Sequence, residues 1–250
     1  SESFTTKNKV KKLKSLSIVI PFFNDEATVS RQITFAYLVG QNVSNKLEVI
    51  AIHGGDSKDN TYEEIIKMKL IYRNLKIINK KDNQEGYAVI KHGFKNAKYE
   101  WIVYTDGDAQ YHIEEDLPKF VEKYYKTGAD VINGYKIKRH DNLIRVFLGN
   151  IYALLSRKIF KLPIRDVDCD FRLIKRKVLN KIKLTSKDSS ILPEMIYKLK
   201  EVGAKFAEVP VSHYVRIYGK SNYTAFGLLK EKIIGDYRLF LSLKRNGLKK

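Results

Sequence analysis

The chain has little cysteine and no long apolar run. Its one cysteine, Cys169, cannot form a disulfide within the chain, which is compatible with a reducing compartment. No stretch of about 18 consecutive apolar residues occurs, and the N-terminus lacks a signal-peptide pattern. These absences exclude a disulfide-stapled scaffold and predict a protein that is soluble or bound at a membrane surface.

Acidic residues are also scarce relative to basic ones. The 47 Lys and Arg residues against 28 Asp and Glu residues give a formal charge of +19. Such a charge predicts attraction to a polyanion: a nucleic acid, an anionic bilayer or a phosphorylated substrate. The chain shows no zinc-ligand spacing and no RNP-like aromatic motif, and its cations are spread along the sequence. We therefore expect no nucleic-acid partner.

With 250 residues, 44% of them hydrophobic, the chain can bury a sizeable core as one large domain. No internal repeat or low-complexity linker divides it. The opening residues are polar and basic, and the last ones have a basic amphipathic pattern. We predict a lead-in over residues 1–14, a main domain over 15–221 and a C-terminal helix over 222–250.

Strand and helix patterns alternate in the first half of the chain. Strands are predicted over residues 16–20, 47–52 and 75–78 and again from Trp101, with helices over about 26–38, after 61 and over 84–97. This alternation predicts an α/β fold of parallel βαβ units, whose ligands bind outside the carboxyl ends of the strands.

Two aspartates separated by one glycine follow the strand that begins at Trp101. The carboxylates of Asp106 and Asp108 can turn toward the same hard cation, and Mg²⁺ or Mn²⁺ favours one or two carboxylates plus phosphate oxygens. An isolated pair of this kind is also typical of ordinary turns and helix N-caps. The flanking residues are what favour a metal site.

Several segments together resemble the family-2 glycosyltransferases of the GT-A fold. They are Pro21-Phe22-Phe23-Asn24-Asp25, the turn ending Lys58-Asp59-Asn60-Thr61, the run from Gly86 to Ala97, Asp106-Gly107-Asp108 with Gln110, and Asp166 to Leu173. The closing segments, Glu208 to Val211 and Arg216 to Ser221, are similar to those of the polyprenyl-phosphate sugar synthases, the branch that contains dolichol-phosphate mannose synthase. The resemblance extends from Leu16 to Ser221.

The resemblance implies a GT-A sheet, mixed but mostly parallel and flanked by helices. It implies an inverting transfer of a sugar from a UDP- or GDP-sugar donor to a polyprenyl phosphate, dependent on Mg²⁺ or Mn²⁺. The implied donor contacts are Pro21, Phe23, Asp25, Asp56, Gly86, Asp106, Gly107 and Asp108. The implied metal ligands are Asp106, Asp108 and Gln110, and the implied catalytic residues are Asp108, Arg172 and Arg216.

The sequence departs from the family pattern in two functional turns. Where relatives usually carry Asp-Asp-Gly-Ser, this chain has His53-Gly54-Gly55-Asp56-Ser57, so Asp56 either replaces the missing aspartate or is a solvated turn residue. Asp170 stands where a glycine is expected, which predicts a different shape for the acceptor loop.

The acceptor class decides whether a general base is needed. A lipid phosphate, with a second pKa of about 6, is largely a dianion at neutral pH and needs none. A hydroxyl acceptor would need a carboxylate base, for which Asp170, Asp188 and Glu194 are the candidates. Arg172 and Arg216 can either grip phosphate oxygens or form structural ion pairs.

Two helical patterns combine apolar residues with cations. Residues 143–160 are apolar with cations near both ends, and residues 228–243 carry Lys230, Lys232 and Arg238 and are followed by Lys244. Helices of this kind lie in the interface of an anionic bilayer, cover a sheet or bind a partner subunit. We expect a cytoplasmic protein, peripheral on the cytoplasmic face of a membrane.

Overall fold

A seven-stranded sheet organises the part of the chain that the structure describes. The computed structural model describes residues 11–82, 85–139, 143–216 and 225–247. The strands are β1 (Leu16–Phe22), β2 (Leu47–His53), β3 (Lys76–Asn79), β4 (Trp101–Tyr104), β5 (Val131–Arg139), β6 (Arg172–Lys175) and β7 (Phe206–His213). Their order in the sheet is β3-β2-β1-β4-β6-β5-β7.

Six strands run in one direction and β6 runs against them. β1 pairs in parallel with β2 and β4, whereas β6 pairs antiparallel with both β4 and β5. The carboxyl ends of the six parallel strands and the start of β6 therefore meet at one edge of the sheet. The predicted mixed, mostly parallel α/β sheet is confirmed.

Helices cover both faces of this sheet. They are α1 (Glu26–Val43), α2 (Thr61–Ile71), α3 (Ile90–Asn96), α4 (Ile113–Thr127), α5 (Leu143–Phe160), α6 (Arg176–Leu179), α7 (Ile191–Glu201) and α8 (Ala225–Gly247), with a 3₁₀ turn at Gly86–Val89. Side chains of α1, α2 and α4 fill one core cluster, and those of α3 and α7 fill another. Because side chains alternate along a strand, Ile18 and Ile20 enter the first core while Val19 enters the second.

Helix α1 runs five residues beyond its predicted end. Gly40 lies within this helix, at a point where the helix passes close to the sheet. A Cβ at residue 40 would lie 2.7 Å from the Leu47 side chain, which explains why a glycine is present there. The helix predicted over 84–97 is instead a 3₁₀ turn followed by α3, starting at Gly86 with a positive φ of 49°. Residue 84 lies outside the described residues.

The C-terminal helix α8 packs on the body of the protein. Leu239 is buried in a third cluster with Tyr152 of α5 and Ile196 of α7. Within the predicted lead-in, Leu13 is buried and pairs with Ser44. In the ranges that the structure describes, no helix is long and apolar enough to cross a membrane.

Glu194, in the first turn of α7, is fully buried and accepts hydrogen bonds from its surroundings. Its carboxylate receives the backbone N–H of Thr185 at 2.9 Å, the Thr185 hydroxyl at 2.7 Å and the backbone N–H of Ser186 at 2.9 Å. Lys198 forms a salt bridge with the same group. These contacts favour a structural role over the predicted role as a base.

Replacing Glu194 with alanine should therefore destabilise the fold. Glu194→Ala removes the buried carboxylate that accepts from Thr185, Ser186 and Lys198, and we expect a loss of about 3 kcal/mol in the free energy of unfolding measured with urea. The matched control is Glu201→Ala at the exposed end of the same helix, expected within about 0.5 kcal/mol of the parent. Equal effects of the two substitutions would contradict this account.

Candidate active site

The predicted site residues gather at the carboxyl edge of the sheet. β1 ends at Phe22, β2 at His53 and β4 at Tyr104, and these three neighbouring strands run in parallel. The loop that follows β4 carries Asp106 and Asp108. Ligands of open α/β sheets bind at this edge.

The backbone of the acidic loop is held by α1 and β1. The Thr28 hydroxyl donates to the carbonyl of Gly107 at 2.7 Å, and the Gln32 amide donates to the carbonyl of Asp106 at 2.7 Å. A Cβ at Gly107 would lie 2.5 Å from the carbonyl oxygen of Pro21. Only glycine allows this approach, which gives Pro21 and Gly107 a structural part in the site.

Asp108 forms an ion pair with Arg216. Its Oδ2 accepts a hydrogen bond from an Arg216 guanidinium nitrogen at 2.6 Å, and its Oδ1 accepts the backbone N–H of Gln110 at 3.0 Å. The Asp108 side chain is 11% exposed, so this pair is largely shielded from water. Residues 108 positions apart thus meet at one point. The rest of the Arg216 motif, residues 217–221, lies outside the described residues.

Asp106 lies among other carboxylates. Burial raises the pKa of its carboxyl well above the ordinary value, and the negative charges of Asp170 and Asp108 raise it further. The Tyr87 hydroxyl is beside the same carboxyl. Like charges held this close in a low-dielectric setting repel one another, so a cation between them is favoured.

Asp25 belongs to the same group of acids. Burial raises its pKa to about 7, with a further rise from Asp108 and opposing contributions from the Phe23 amide and Arg216. Its Oδ2 accepts the Phe23 N–H at 2.9 Å, and its own N–H donates to the Thr61 hydroxyl. We call Asp25, Asp106, Asp108 and Asp170 the acidic cluster.

The acidic cluster fits a divalent cation whose other ligands are phosphate oxygens. Among the residues that the structure describes, no group of three or more His, Cys, Asp or Glu side chains is arranged to hold a metal ion by itself. Asp106 and Asp108 supply hard oxygen ligands, and a cation bound by two carboxylates completes its shell with water and diphosphate oxygens. Asp106 and Asp108 are the residues that would hold it.

Gln110 and His112 have partners within the protein. The Gln110 side-chain amide donates to the carbonyl of Tyr214 at 3.0 Å, and the N–H of Tyr214 donates back to the carbonyl of Gln110. The His112 ring stacks on Tyr214 with 3.8 Å between centroids. These contacts join the acidic loop to the end of β7, two residues before Arg216. Metal ligation by Gln110 stays a prediction.

Three further predicted donor contacts, Phe23, Asp56 and Gly86, follow β1, β2 and β3. The Phe23 ring is 38% exposed and covers Gly55, and Gly86 begins the 3₁₀ turn that carries Tyr87 toward Asp106. Asp56 is exposed and forms a salt bridge with Lys58 at 2.8 Å. Asp56 therefore lies at the solvent rim, and its contact with the base of a nucleotide stays a prediction.

Arg172 is fully buried at the start of β6. Its guanidinium donates to the Asn133 side chain, the Tyr104 hydroxyl and the carbonyl of Val167. All of these partners belong to the protein. The contacts favour a positioning role, in which Arg172 holds the loop before β6 in place. They do not test the predicted catalytic role of Arg172.

That loop, residues 166–170, contributes Asp170 to the acidic cluster. Lys136 donates to the carbonyl of Asp168 at 2.8 Å, and the N–H of Asp170 donates to the Tyr111 hydroxyl at 3.3 Å. Burial raises the pKa of Asp170 to about 6, although Lys136 and Arg172 lower it. Within the described part of the chain, Oδ1 of Asp170 is buried without a hydrogen-bond partner.

Sequence reasoning missed the residues that hold the acidic loop in place. Thr28, Gln32, Tyr87 and Tyr214 were not predicted as site residues. Gln32 could have been found, because it is a polar residue at a helical position whose neighbours Val29, Ile33 and Ala36 are core residues. Tyr87 and Tyr214 carry no such signal, since tyrosine is common in this chain.

Comparison with solved structures confirms the fold. The structure superposes on glucosyl-3-phosphoglycerate synthase from Mycobacterium tuberculosis, solved with Mg²⁺ and uridine diphosphate, with a TM-score of 0.64 over 91% of this chain and 79% of that one, at 13% identity. The same enzyme with Mn²⁺, uridine diphosphate and glucosyl-3-phosphoglycerate gives a TM-score of 0.62 over 91% and 80% of the two chains, at 14% identity. These likenesses establish the GT-A fold.

Sequence comparison establishes the family. An uncharacterized protein of Methanocaldococcus jannaschii is 32% identical over 78% of this chain and 86% of its own length. The undecaprenyl-phosphate 4-deoxy-4-formamido-L-arabinose transferases of Aeromonas hydrophila and Salmonella choleraesuis are 24% and 26% identical over 87% of this chain, which spans 65% of their length. The model of glycosyl transferase family 2 matches residues 17–183. The chain is a glycosyltransferase and belongs to glycosyl transferase family 2.

Proposed function

We propose that the protein transfers a sugar, with inversion, from a nucleotide-sugar donor to a polyprenyl phosphate, using Mg²⁺ or Mn²⁺. The observation that carries this proposal is the contact between Asp108 and Arg216. It puts carboxylates suited to a cation next to a guanidinium suited to a phosphate. The sugar transferases at 24–26% identity act on undecaprenyl phosphate, which supports a lipid acceptor.

The donor would bind along the carboxyl ends of β1, β2 and β4. A divalent ion held by Asp106 and Asp108 would neutralise the charge that grows on the leaving nucleoside diphosphate. Asp25, fixed by the Phe23 amide and Thr61, limits how the diphosphate can lie. The similar solved enzyme was crystallised with uridine diphosphate, which supports a UDP-sugar over a GDP-sugar.

The acceptor would approach between Arg216 and loop 166–170. A phosphate dianion is already a nucleophile, so the protein has only to position it and shield its charge. Arg216 presents paired donors for two phosphate oxygens. Inversion requires no covalent intermediate, and Cys169 is unsuited to form one because burial raises its pKa to about 12.

Asp170 favours a second candidate, transfer to a hydroxyl acceptor. Such a transfer needs a carboxylate base, and Asp188 and Glu194 already bind Ser190 and Thr185. Asp170 has a pKa raised to about 6, chiefly by burial, and its Oδ1 has no partner among the described residues. Of the three predicted bases, Asp170 is the one whose surroundings suit the task.

An anionic bilayer would bind the surface formed by α5 and α8. Both helices expose large apolar side chains, which are Ile151, Leu154, Leu155 and Ile159 on α5 and Ile233, Ile234, Tyr237, Phe240 and Leu241 on α8. Exposed cations accompany them, namely Lys158, Lys161, Lys230, Arg238, Lys244 and Arg245. Apolar side chains can enter the acyl boundary while these cations meet lipid phosphates. A polyprenyl phosphate would reach the site from such a surface.

We expect Asp108→Asn to weaken cation binding and catalysis together. The substitution removes a charged oxygen ligand, so kcat should fall by about 10³, which corresponds to roughly 4 kcal/mol. Mn²⁺ affinity in the presence of uridine diphosphate, measured by calorimetry, should fall as well. The control is Glu122→Gln on the exposed face of α4, which should change neither value. Undiminished activity of Asp108→Asn in EDTA would refute the metal's role.

We expect Arg216→Gln to impair use of the acceptor more than binding of the donor. Loss of a charge-assisted contact of about 1.5 to 3 kcal/mol should lower kcat/KM for a short polyprenyl phosphate by about 10- to 100-fold. Arg216→Lys should recover part of this loss, because it keeps the charge without the planar fork. Arg73→Gln, at an exposed residue in the turn after α2, serves as control. If donor affinity fell as far as acceptor use, the assignment of Arg216 to the acceptor phosphate would be wrong.

We expect salt-sensitive binding to vesicles that contain anionic lipid. The double variant Arg238→Gln and Lys244→Gln should weaken this binding by about 2 kcal/mol, roughly 30-fold, at about 1 kcal/mol per cation. The control pair, Lys46→Gln and Lys95→Gln, changes exposed cations that lie outside α5 and α8. Equal partitioning of the parent onto neutral and anionic vesicles, or equal losses in both double variants, would speak against this surface.

A further inference from the structure

Lys232 of α8 is directed into the protein. By sequence it belongs with the cations expected to face lipid, yet its Nζ lies 2.8 Å from Oδ2 of Asp168, and the two side chains are only 15% and 11% exposed. The ammonium also lies over the Tyr152 ring, 4.9 Å from its centroid. Lys232 thus binds loop 166–170 and is separate from the exposed cations of the same helix.

Loop 166–170 has contacts with three different elements. Lys136 of β5 donates to the carbonyl of Asp168, Arg172 of β6 donates to the carbonyl of Val167, and Lys232 of α8 binds the Asp168 side chain. The first two contacts hold backbone carbonyls, whereas Lys232 neutralises a carboxylate. Asp168 Oδ1, its second oxygen, is buried without a hydrogen-bond partner among the described residues.

Loss of Lys232 would therefore displace the loop and leave the helix in place. A buried carboxylate without its partner is strongly unfavourable, and the loop can relieve this by turning Asp168 toward water. Helix α8 keeps its apolar attachment through Leu239, Leu229 and Leu243. Two residues after Asp168, Asp170 lies beside Asp106, so movement of the loop changes the acceptor side of the acidic cluster.

We propose that Lys232 is a positioning residue, which holds loop 166–170 in the arrangement that receives the acceptor and so couples the C-terminal helix to the site. This inference rests on the proposed function, from which it takes polyprenyl phosphate as the acceptor. It concerns the acceptor side alone, because the predicted donor contacts Asp25, Asp106 and Asp108 follow β1 and β4, and Thr28 and Gln32 hold the loop after β4. The donor site should therefore be indifferent to Lys232.

The test compares Lys232→Gln and Lys232→Arg with Lys95→Gln, an exposed lysine on α3. Hydrogen–deuterium exchange reports on the loop without any substrate, and uridine diphosphate affinity with Mn²⁺ reports on the donor site. Steady-state transfer to a short polyprenyl phosphate reports on the acceptor. Together these readouts separate positioning of the loop from general destabilisation.

In Lys232→Gln we expect exchange of the amides of residues 166–170 to rise about 10-fold and acceptor kcat/KM to fall about 10-fold, the loss of roughly one buried ionic contact. Donor affinity should stay within about twofold, since no donor contact changes. Lys232→Arg should behave much like the parent, because it keeps the ion pair. Lys95→Gln should match the parent in every readout.

Unchanged exchange in loop 166–170 would overturn the proposal, as would a loss of donor affinity as large as the loss of acceptor use. Unchanged acceptor kinetics despite faster exchange would also overturn it, because the loop would then move without consequence. If the parent protein transfers no sugar to polyprenyl phosphate, the proposed function fails by itself. In that case loop exchange and donor affinity, together with transfer to a hydroxyl acceptor, still decide the role of Lys232.

Discussion

The structure depends on gathering like charges at one edge of a sheet. Asp25, Asp106, Asp108 and Asp170 come from three separate loops, and burial together with mutual repulsion raises the pKa of Asp106 well above its ordinary value. Such a group is stable only where the protein supplies compensation. Arg216 provides it at Asp108, and the remaining excess of negative charge favours a cation. Repulsion among these carboxylates is therefore what favours a cation at this site.

The scaffold around these acids is correspondingly rigid. Gly107 allows the acidic loop to approach the carbonyl of Pro21, while Thr28 and Gln32 hold the loop's own carbonyls. On the other side, the Gln110 side-chain amide donates to the Tyr214 carbonyl and the Tyr214 N–H donates to the Gln110 carbonyl, which brings the end of β7, and with it Arg216, onto the loop. Electrostatic stabilisation of a leaving group works best with groups that are fixed before the reaction. The described contacts meet that requirement at the loop that carries Asp106 and Asp108.

Much of this arrangement could be predicted from the sequence, because it follows strand ends. The alternating strand and helix patterns predicted the parallel sheet and therefore the edge where Asp25 and Asp108 meet. Lys232 could not be assigned in this way: its amphipathic helix predicts an outward cation, and the partner, Asp168, is far away in sequence. The contacts of Arg172 could not be predicted either, because its position in a motif does not reveal that its guanidinium donates to three groups of the protein. Contacts between side chains of different helices and strands depend on how these elements pack, and the hydrophobic periodicity of the sequence does not contain that information.

The central claim, a glycosyltransferase whose acceptor is a lipid phosphate, is tested most directly by offering matched acceptors to the unmodified protein. Transfer from a labelled UDP-sugar, with Mn²⁺, would be measured onto a polyprenyl phosphate and onto the polyprenol of the same chain length. The account predicts product with the phosphate and a rate at least about 10³-fold lower with the alcohol, which lacks the charge and whose hydroxyl is a poor nucleophile without a base. Equal rates with the two acceptors, or transfer only to a hydroxyl, would contradict the account.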